Sequence, residues 1–353
     1  MSKILQIATR HPENIIDIRD ENTLKAMKTW WEEKGHSGRV FDRYIPITGN
    51  EVRYACYPIE TIREDTQTFS QKNKTFNEIA PKLSFECLKE LDFDPKDVCM
   101  ITSSTMTGVG IPTVPHTLLK EFDFPESIIK IPMFGLACNG GTHVMAIADE
   151  YLKGNPDKLV IALTTDLCSL NLCPETSTLT TIFGSAIFGD GVGAILIAGD
   201  DYKKQVTKHL FLGVHGWKII KYKSYVMPNT EDYITLQGLS EGLLYHVEST
   251  KLQEIPKISE KFNIKIKEFI EGHTIDNWIC HPGGKLVMEN TIRGLGLAKN
   301  ALDSSFEMFR QFGNMSATSV IKTLEHDFDK NGKTVIISYG PGFQIDLILL
   351  EKT

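Results

Sequence analysis

Met133-Phe134-Gly135-Leu136-Ala137-Cys138-Asn139-Gly140-Gly141-Thr142 joins two different periodicities. Upstream, the apolar run from Ile128 to Met133 reads as a buried strand ending near Leu136. Downstream, Val144, Met145, Ile147, Ala148, Tyr151 and Leu152 recur with helical spacing. Lys153-Gly154, with Pro156 beyond, reads as the helix end. Cys138 therefore falls at a strand-to-helix corner, where the positive end of the helix dipole favours thiolate over thiol. Gly140 and Gly141 are expected to keep side chains away from the sulfur, so that a substrate carbonyl can approach. Asn139 is expected to alter the dipole environment of the sulfur. The alternative for Cys138 is a small buried hydrophobe.

The chain has 353 residues, more than one hydrophobic core commonly serves, so two domains or two fused halves are expected. Hydrophobic content of 41% and charged content of 24% place it among globular proteins. A net charge of −7 without a basic cluster excludes a nucleic-acid binder. It does not exclude anionic substrates, since a few local cations can hold a phosphate. The cysteine count is odd (seven) and no C-x-x-C occurs, so neither zinc spacing nor a disulfide framework is present. This points to a reducing, cytoplasmic setting. The apolar part of the N-terminus is too short for a signal peptide and reads as a first strand. No apolar window is long enough for a membrane span.

Further along, Asp20 to Trp31 and Asn77 to Leu91 read as helices, residues 35–58 as irregular, and Val98 to Ser104 and Lys158 to Thr165 as strands. Ala186 to Ala198 reads as two strands joined by Gly189-Asp190-Gly191. Thr334 to Tyr339 and Phe343 to Leu350 read as two more, joined by Gly340-Pro341-Gly342. Residues 200–209 are polar and charged, which divides the chain into halves at 1–205 and 206–353. Each half closes on a strand, a Gly-x-Gly turn and a strand. Each also carries a reactive residue ahead of a Gly-Gly pair: Cys138-Asn139-Gly140-Gly141 and His281-Pro282-Gly283-Gly284. A duplicated α/β unit with Cys138 and His281 in related places is therefore expected.

A nucleophilic cysteine needs a base or cation and a polar group to position it. His281 ends an apolar strand and precedes two glycines, and Asn314 follows Gly313 where a helix opens. Alone, His281 reads equally as a satisfied core histidine and Asn314 as an N-cap.

Together the stretches Cys138 to Thr142, Ile187 to Gly191, Trp278 to Gly284, Phe312 to Ala317 and Tyr339 to Phe343 resemble the type III polyketide synthases. These are the chalcone and stilbene synthase family of the thiolase superfamily. Order and spacing agree over residues 95–353, with a looser match before. The resemblance implies a thiolase-like duplicated α/β fold in five layers, αβαβα, and a homodimer. It implies that Cys138 carries an acyl chain taken from acyl-CoA, and that His281 pairs with the thiolate. His281 and Asn314 would hold the enolate formed when malonyl-CoA loses carbon dioxide. No metal or organic cofactor is implied.

By the same resemblance Phe188 and Tyr245 are gatekeepers, Tyr245 standing where Phe is common. Met106, Thr107 and Asn171 line the elongation cavity and Ser316 lies near it. Ile111 crosses the dimer interface to wall the partner's cavity, and Arg53 contacts CoA phosphates. The largely aliphatic set implies a medium or long acyl starter and an alkylpyrone or alkylresorcinol product. Three competing readings stay open. One is a priming-type ketoacyl synthase performing a single condensation. The others are a Cys-His-Asn thioester hydrolase and a silent thiolase-fold protein.

Overall fold

Apolar residues at alternate positions sort onto the two faces of each strand, and that alternation builds the layers of this molecule. The computed structural model describes residues 2–63, 67–172, 184, 186–204 and 216–352. Its strands are β1 (Lys3–Arg10), β2 (Asn14–Asp17), β3 (Val52–Ala55), β4 (Val98–Thr105), β5 (Ile129–Phe134), β6 (Leu159–Leu167) and β7 (Asp190–Ala198), followed by β8 (Trp217–Val226), β9 (Ile234–Gly238), β10 (Leu243–Val247), β11 (Asn277–Cys280), β12 (Gly332–Gly340) and β13 (Gln344–Lys352). The principal helices are α1 (Glu21–Glu33), α2 (Phe69–Glu90), α3 (Gly140–Gly154), α4 (Ile255–Ile270), α5 (Lys285–Leu295), α6 (Asp303–Phe312) and α7 (Thr318–His326).

Nine strands form one sheet in the order β11-β12-β13-β8-β1-β7-β6-β4-β5. The halves meet at β1 and β8, paired among the described residues through Lys3 with Lys218 and Ile4 with Trp217. Outward from that seam each half repeats one sequence of relations. β7, β6 and β4 follow β1 as antiparallel, antiparallel and parallel neighbours. β13, β12 and β11 follow β8 in the same way. The duplication is thus visible in topology.

On β6, Leu159, Ile161 and Leu163 face Phe76, Ala80, Leu83 and Leu88 of α2. Val160 and Ala162 face the other way, toward Val144, Met145 and Ala148 of α3 and Val320, Ile321 and Leu324 of α7. That central cluster also takes Ile336 of β12 and Ile348 and Leu350 of β13. The opposite face of the C-terminal strands, Val335, Ile337, Leu347 and Leu349, packs on Ile258, Phe262, Ile266 and Phe269 of α4. The layers therefore run α2, strands, α3 with α7, strands, α4, the αβαβα arrangement of the thiolase-like fold. A one-residue slip in β6 or β12 would exchange these faces, so register is firmly specified.

Several local expectations are corrected. Ile128 to Met133 is not a buried strand, because β5 is the sheet's last strand; Ile129 is 41% and Phe134 54% exposed. Gly189-Asp190-Gly191 makes no hairpin: Asp190 opens a single strand, and Phe188 before it bridges to Asn314. Residues 35–58 contain the helix Gly38–Tyr44 and strand β3, which pairs with β2. Helix α2 starts at Phe69, ahead of Asn77, because Thr68 and Gln71 form a capping box. Gly140 and Gly141 serve packing: a Cβ on Gly141 would stand 2.3 Å from the Ala317 carbonyl oxygen, and one on Gly140 2.9 Å from the Ala317 Cβ. The expected boundary at 205–206 falls within residues 205–215, outside those described.

The expected pairing of Cys138 with His281 is also corrected. Cys138 precedes α3, and the helix in the equivalent place of the second half is α7, opened by Asn314-Met315-Ser316. Both corners carry a residue with positive φ, Ala137 at 47° and Ser316 at 50°. His281 instead follows β11, whose counterpart is β4, which runs into Met106.

Candidate active site

Three corners deliver the three side chains. Cys138 lies in the single 3-10 turn Ala137–Asn139 between β5 and α3. The Ser338 hydroxyl of β12 donates to its carbonyl at 2.8 Å. His281 continues β11, its main-chain N–H donating to the Ile337 carbonyl at 2.7 Å. Asn314 is held by a two-bond bridge between the halves. Its N–H donates to the Ile187 carbonyl at 2.7 Å, and its own carbonyl accepts from Gly189 N–H at 2.9 Å. Glycine is required on both sides of that bridge: a Cβ on Gly189 would stand 2.3 Å from the Phe312 carbonyl oxygen, and one on Gly313 2.5 Å from that of Ile187. The Asn314 Oδ1 accepts from Ser316 N–H at 2.9 Å, which turns the NH₂ group toward the Cys138 sulfur.

Cys138, His281 and Asn314 open into one cavity of about 290 Å³. Met106, Thr107, Asn171, Phe188, Tyr245 and Ser316 also line it. The Phe188 and Tyr245 rings meet edge to face, 5.4 Å apart at 78°. The β9–β10 hairpin closes that side with Ile234, Leu236, Leu243 and Leu244.

Two expected residues lie elsewhere. Ile111 is 100% exposed and is not on the described wall of its own chain's cavity. Arg53, expected at CoA phosphates, is 3% exposed and sits beside the buried Asp190 carboxylate, so it is an internal counter-charge and not a surface contact. Asp190 accepts from Cys56 N–H, Ser169 N–H and the Ser169 hydroxyl, at 2.8, 2.7 and 2.5 Å.

The electrostatics also differ from the sequence-based picture. Burial pushes the Cys138 thiol up to about 12, and the nearby Asp166 carboxylate adds to this; hydrogen bonds from Ser316 and Asn314 pull the other way. Burial pushes His281 down to about 3, and neither ring nitrogen has a hydrogen-bond partner among the described residues. Burial thus favours the uncharged form of each group, against the charged pair that the motif suggests. Asn139 does not face the sulfur. Its amide packs on Gly340, where a Cβ would lie 2.8 Å from it.

Asp166 was not singled out from sequence. It ends β6 fully buried and accepts from Met106 N–H at 2.9 Å, Ala317 N–H at 3.1 Å and the Thr105 hydroxyl at 3.4 Å. The Ser316 hydroxyl stands between this carboxylate and the Cys138 sulfur. The available signal was an acid closing an otherwise apolar strand. Cys168, also missed, lines the cavity a few residues on, its thiol pushed well up by burial.

Comparison with known proteins agrees over nearly the whole chain. Residues 6–201 match the family model for the N-terminal domain of chalcone and stilbene synthases, and residues 219–352 that for the C-terminal domain. A Bacillus subtilis (strain 168) protein named "Putative chalcone synthase" is 29% identical over 377 residues, covering 99% of both chains. The 1,3,6,8-tetrahydroxynaphthalene synthase of Streptomyces peucetius subsp. caesius is 28% identical over 335 residues, covering 90% of this chain and 85% of that one. Among solved structures, 1,3,6,8-tetrahydroxynaphthalene synthase from Streptomyces coelicolor A3(2) superposes with a TM-score of 0.86 at 20% identity, covering 99% of each chain.

Proposed function

The chain belongs to the chalcone and stilbene synthase family and is a condensing acyltransferase of the type III polyketide synthase kind, and from that premise we propose that it loads an acyl-CoA starter on Cys138, extends it with malonyl-CoA, and closes the product to an alkylpyrone or alkylresorcinol. The observation that carries this reading is the convergence of Cys138, His281 and Asn314 on one largely apolar cavity.

Burial favours an uncharged thiol and imidazole, which sets the first step. As the acyl-CoA carbonyl reaches Sγ, the thiol proton passes to His281, the C–S bond to Cys138 forms, and CoA leaves as thiolate and takes up a proton. Malonyl-CoA then enters. His281 keeps the proton it took from Cys138, the CoA thiolate taking its own from solvent, and so donates to the malonyl thioester oxygen together with the Asn314 NH₂ group. Carbon dioxide leaves, and the electron pair of the broken C–C bond becomes an enolate held by those two donors. The enolate carbon attacks the acyl carbon, the new C–C bond forms, and Cys138 departs as thiolate. No cofactor enters this scheme, because the thioester itself activates the carbon.

The aliphatic starter is supported by the walls: Ile187, Leu236, Leu243, Leu244 and Val287 offer methylene contacts, each buried methylene contributing about 0.8 kcal/mol. A homodimer is proposed because Ile111 and Phe134 leave an apolar surface along the free edge of the sheet. None of the described helices is long and apolar enough to cross a membrane.

The test compares kcat/KM for octanoyl-CoA, a coumaroyl-type CoA and malonyl-CoA alone, with mass spectrometry of products. Alkylpyrones or alkylresorcinols with octanoyl-CoA preferred are expected. A preference for the aromatic thioester removes the aliphatic reading. A polyhydroxyarene from malonyl-CoA alone gives the kind of product in the Streptomyces relative's name. One condensation only, or free acid only, gives the ketoacyl synthase or the hydrolase.

A further inference from the structure

We propose that the Tyr245 hydroxyl donates a hydrogen bond to the β-ketone of the chain carried on Cys138, and thereby sets how many extensions the chain receives. The inference rests on the polyketide-extending function proposed above and assigns a further residue to it.

Tyr245 lies on β10, opposite Leu236 of β9, in the hairpin that closes the cavity. Its ring is fixed by the edge-to-face contact with Phe188. Gly184 leaves room for the pair, since a Cβ there would lie 3.2 Å from Phe188 and 3.9 Å from Tyr245. The hydroxyl has no hydrogen-bond partner among the described residues. Burial, and then the neighbouring Cys138, hold its pKa above the ordinary tyrosine range, so it shares the cavity with Cys138 as a neutral O–H donor.

Several other polar groups on the wall are already engaged. The Thr107 hydroxyl accepts from Leu167 N–H at 2.8 Å, and its carbonyl accepts from the Asn171 NH₂ at 3.0 Å. The Thr291 and Tyr339 hydroxyls pair at 2.9 Å. The Ser316 hydroxyl is shared between Cys138 and Asp166. His281 and the Asn314 NH₂ are assigned to the malonyl thioester. A phenylalanine at 245 would gate the cavity equally well but would offer it no hydroxyl. The hydroxyl is therefore matched to something that arrives in the cavity.

A starter acyl group has a single carbonyl, at the sulfur. After one condensation the chain is a β-ketoacyl thioester of CoA. When the Cys138 thiolate attacks that thioester, the bond to Cys138 forms, CoA thiolate leaves, and a second carbonyl stands beyond the sulfur. Tyr245 donates to this ketone without giving up its proton, and holds the chain extended for the next enolate. The interaction is absent during loading and present during every later extension.

Wild type, Tyr245→Phe and Tyr245→Leu are compared with octanoyl-CoA and malonyl-CoA, following Cys138 acylation by intact mass and products by chromatography. Tyr245→Phe keeps the ring, and the ratio of multiply to singly extended products should fall about tenfold, the worth of one hydrogen bond, with a smaller effect on acylation. Tyr245→Leu removes ring and hydroxyl together, and should show at least the same fall in that ratio. An unchanged product ratio in Tyr245→Phe, from an enzyme whose wild type extends, overturns the inference and leaves Tyr245 a steric gate. A wild type that never acylates Cys138 overturns the proposed function, and the inference with it.

Discussion

Replacing Asn314 separates its two jobs. Its Oδ1 accepts from Ser316 N–H at 2.9 Å, and its NH₂ faces the Cys138 sulfur. Asn314→Ala removes both. The lost Oδ1 bond is worth about 1 kcal/mol of stability. It also frees Ser316, whose φ of 50° costs about 1–3 kcal/mol to maintain. The main-chain bridge to Ile187 and Gly189 is unaffected, so the variant should fold with a modestly lower Tm. Asn314→Asp keeps an acceptor for Ser316 N–H but puts an oxygen where the donor was. Loss of one oxyanion donor corresponds to about 10²–10³ in rate, or about 2.7–4 kcal/mol. Both variants should therefore lose malonyl-CoA decarboxylation on that scale, while only Asn314→Ala loses much stability. The assay is carbon dioxide release from malonyl-CoA, beside Cys138 acylation by intact mass. Near-wild-type decarboxylation in Asn314→Asp would show that the NH₂ is not the donor and refute the assignment.

Other outcomes follow from the same geometry. Asp166→Asn removes the charge that raises the Cys138 pKa, so alkylation of Cys138 by iodoacetamide at pH 8 should speed up; a slower reaction contradicts that electrostatic picture. Gly141→Ala drives a Cβ to 2.3 Å from the Ala317 carbonyl and should cost about 1–3 kcal/mol by denaturant melt, with equal stability as the contrary result. Asp190, pushed up to about 6 from an ordinary 3.8, has a folded pKa above its unfolded one. Its contribution is fully present below about pH 4 and lost as pH rises through 6, a change of about 3 kcal/mol. Asp190→Asn should lack that portion of the pH dependence; identical profiles would refute it. Ile111→Glu should shift sedimentation toward monomer if the free sheet edge is the dimer interface, and an unaltered sedimentation coefficient would count against that surface.

Periodicity made much of the fold legible. Apolar runs located β6 and the β12–β13 hairpin, helical spacing located the helix after Cys138, and the Gly-flanked Cys, His and Asn motifs located three residues that share one cavity. What stayed hidden was set by neighbours distant in the chain. Edge position, not composition, exposes Ile129 and Phe134. Gly189-Asp190-Gly191 looks like a turn locally, yet Gly189 answers to the Phe312 carbonyl and Gly191 to the Met315 side chain. Gly140 and Gly141 likewise answer to Ala317. Arg53 reads as a surface cation until Asp190 is placed beside it. Burial also shifts the Cys138 and His281 pKa values against the charged pair that the motif suggests, since desolvation is a property of the assembled cavity and no motif encodes it alone. The echo between halves was real, but a Gly-Gly pair was a poor guide to it: topology matches Cys138 with the Asn314–Ser316 corner.

The most direct test mixes the protein with octanoyl-CoA, isolates it, and chases with isotopically labelled malonyl-CoA while intact mass and peptide mapping follow the adduct. The account predicts an octanoyl thioester on Cys138 that is consumed in the chase, giving labelled polyketide lactone or resorcinol. An octanoyl group on another cysteine, or a Cys138 adduct released only as free octanoate, would contradict it.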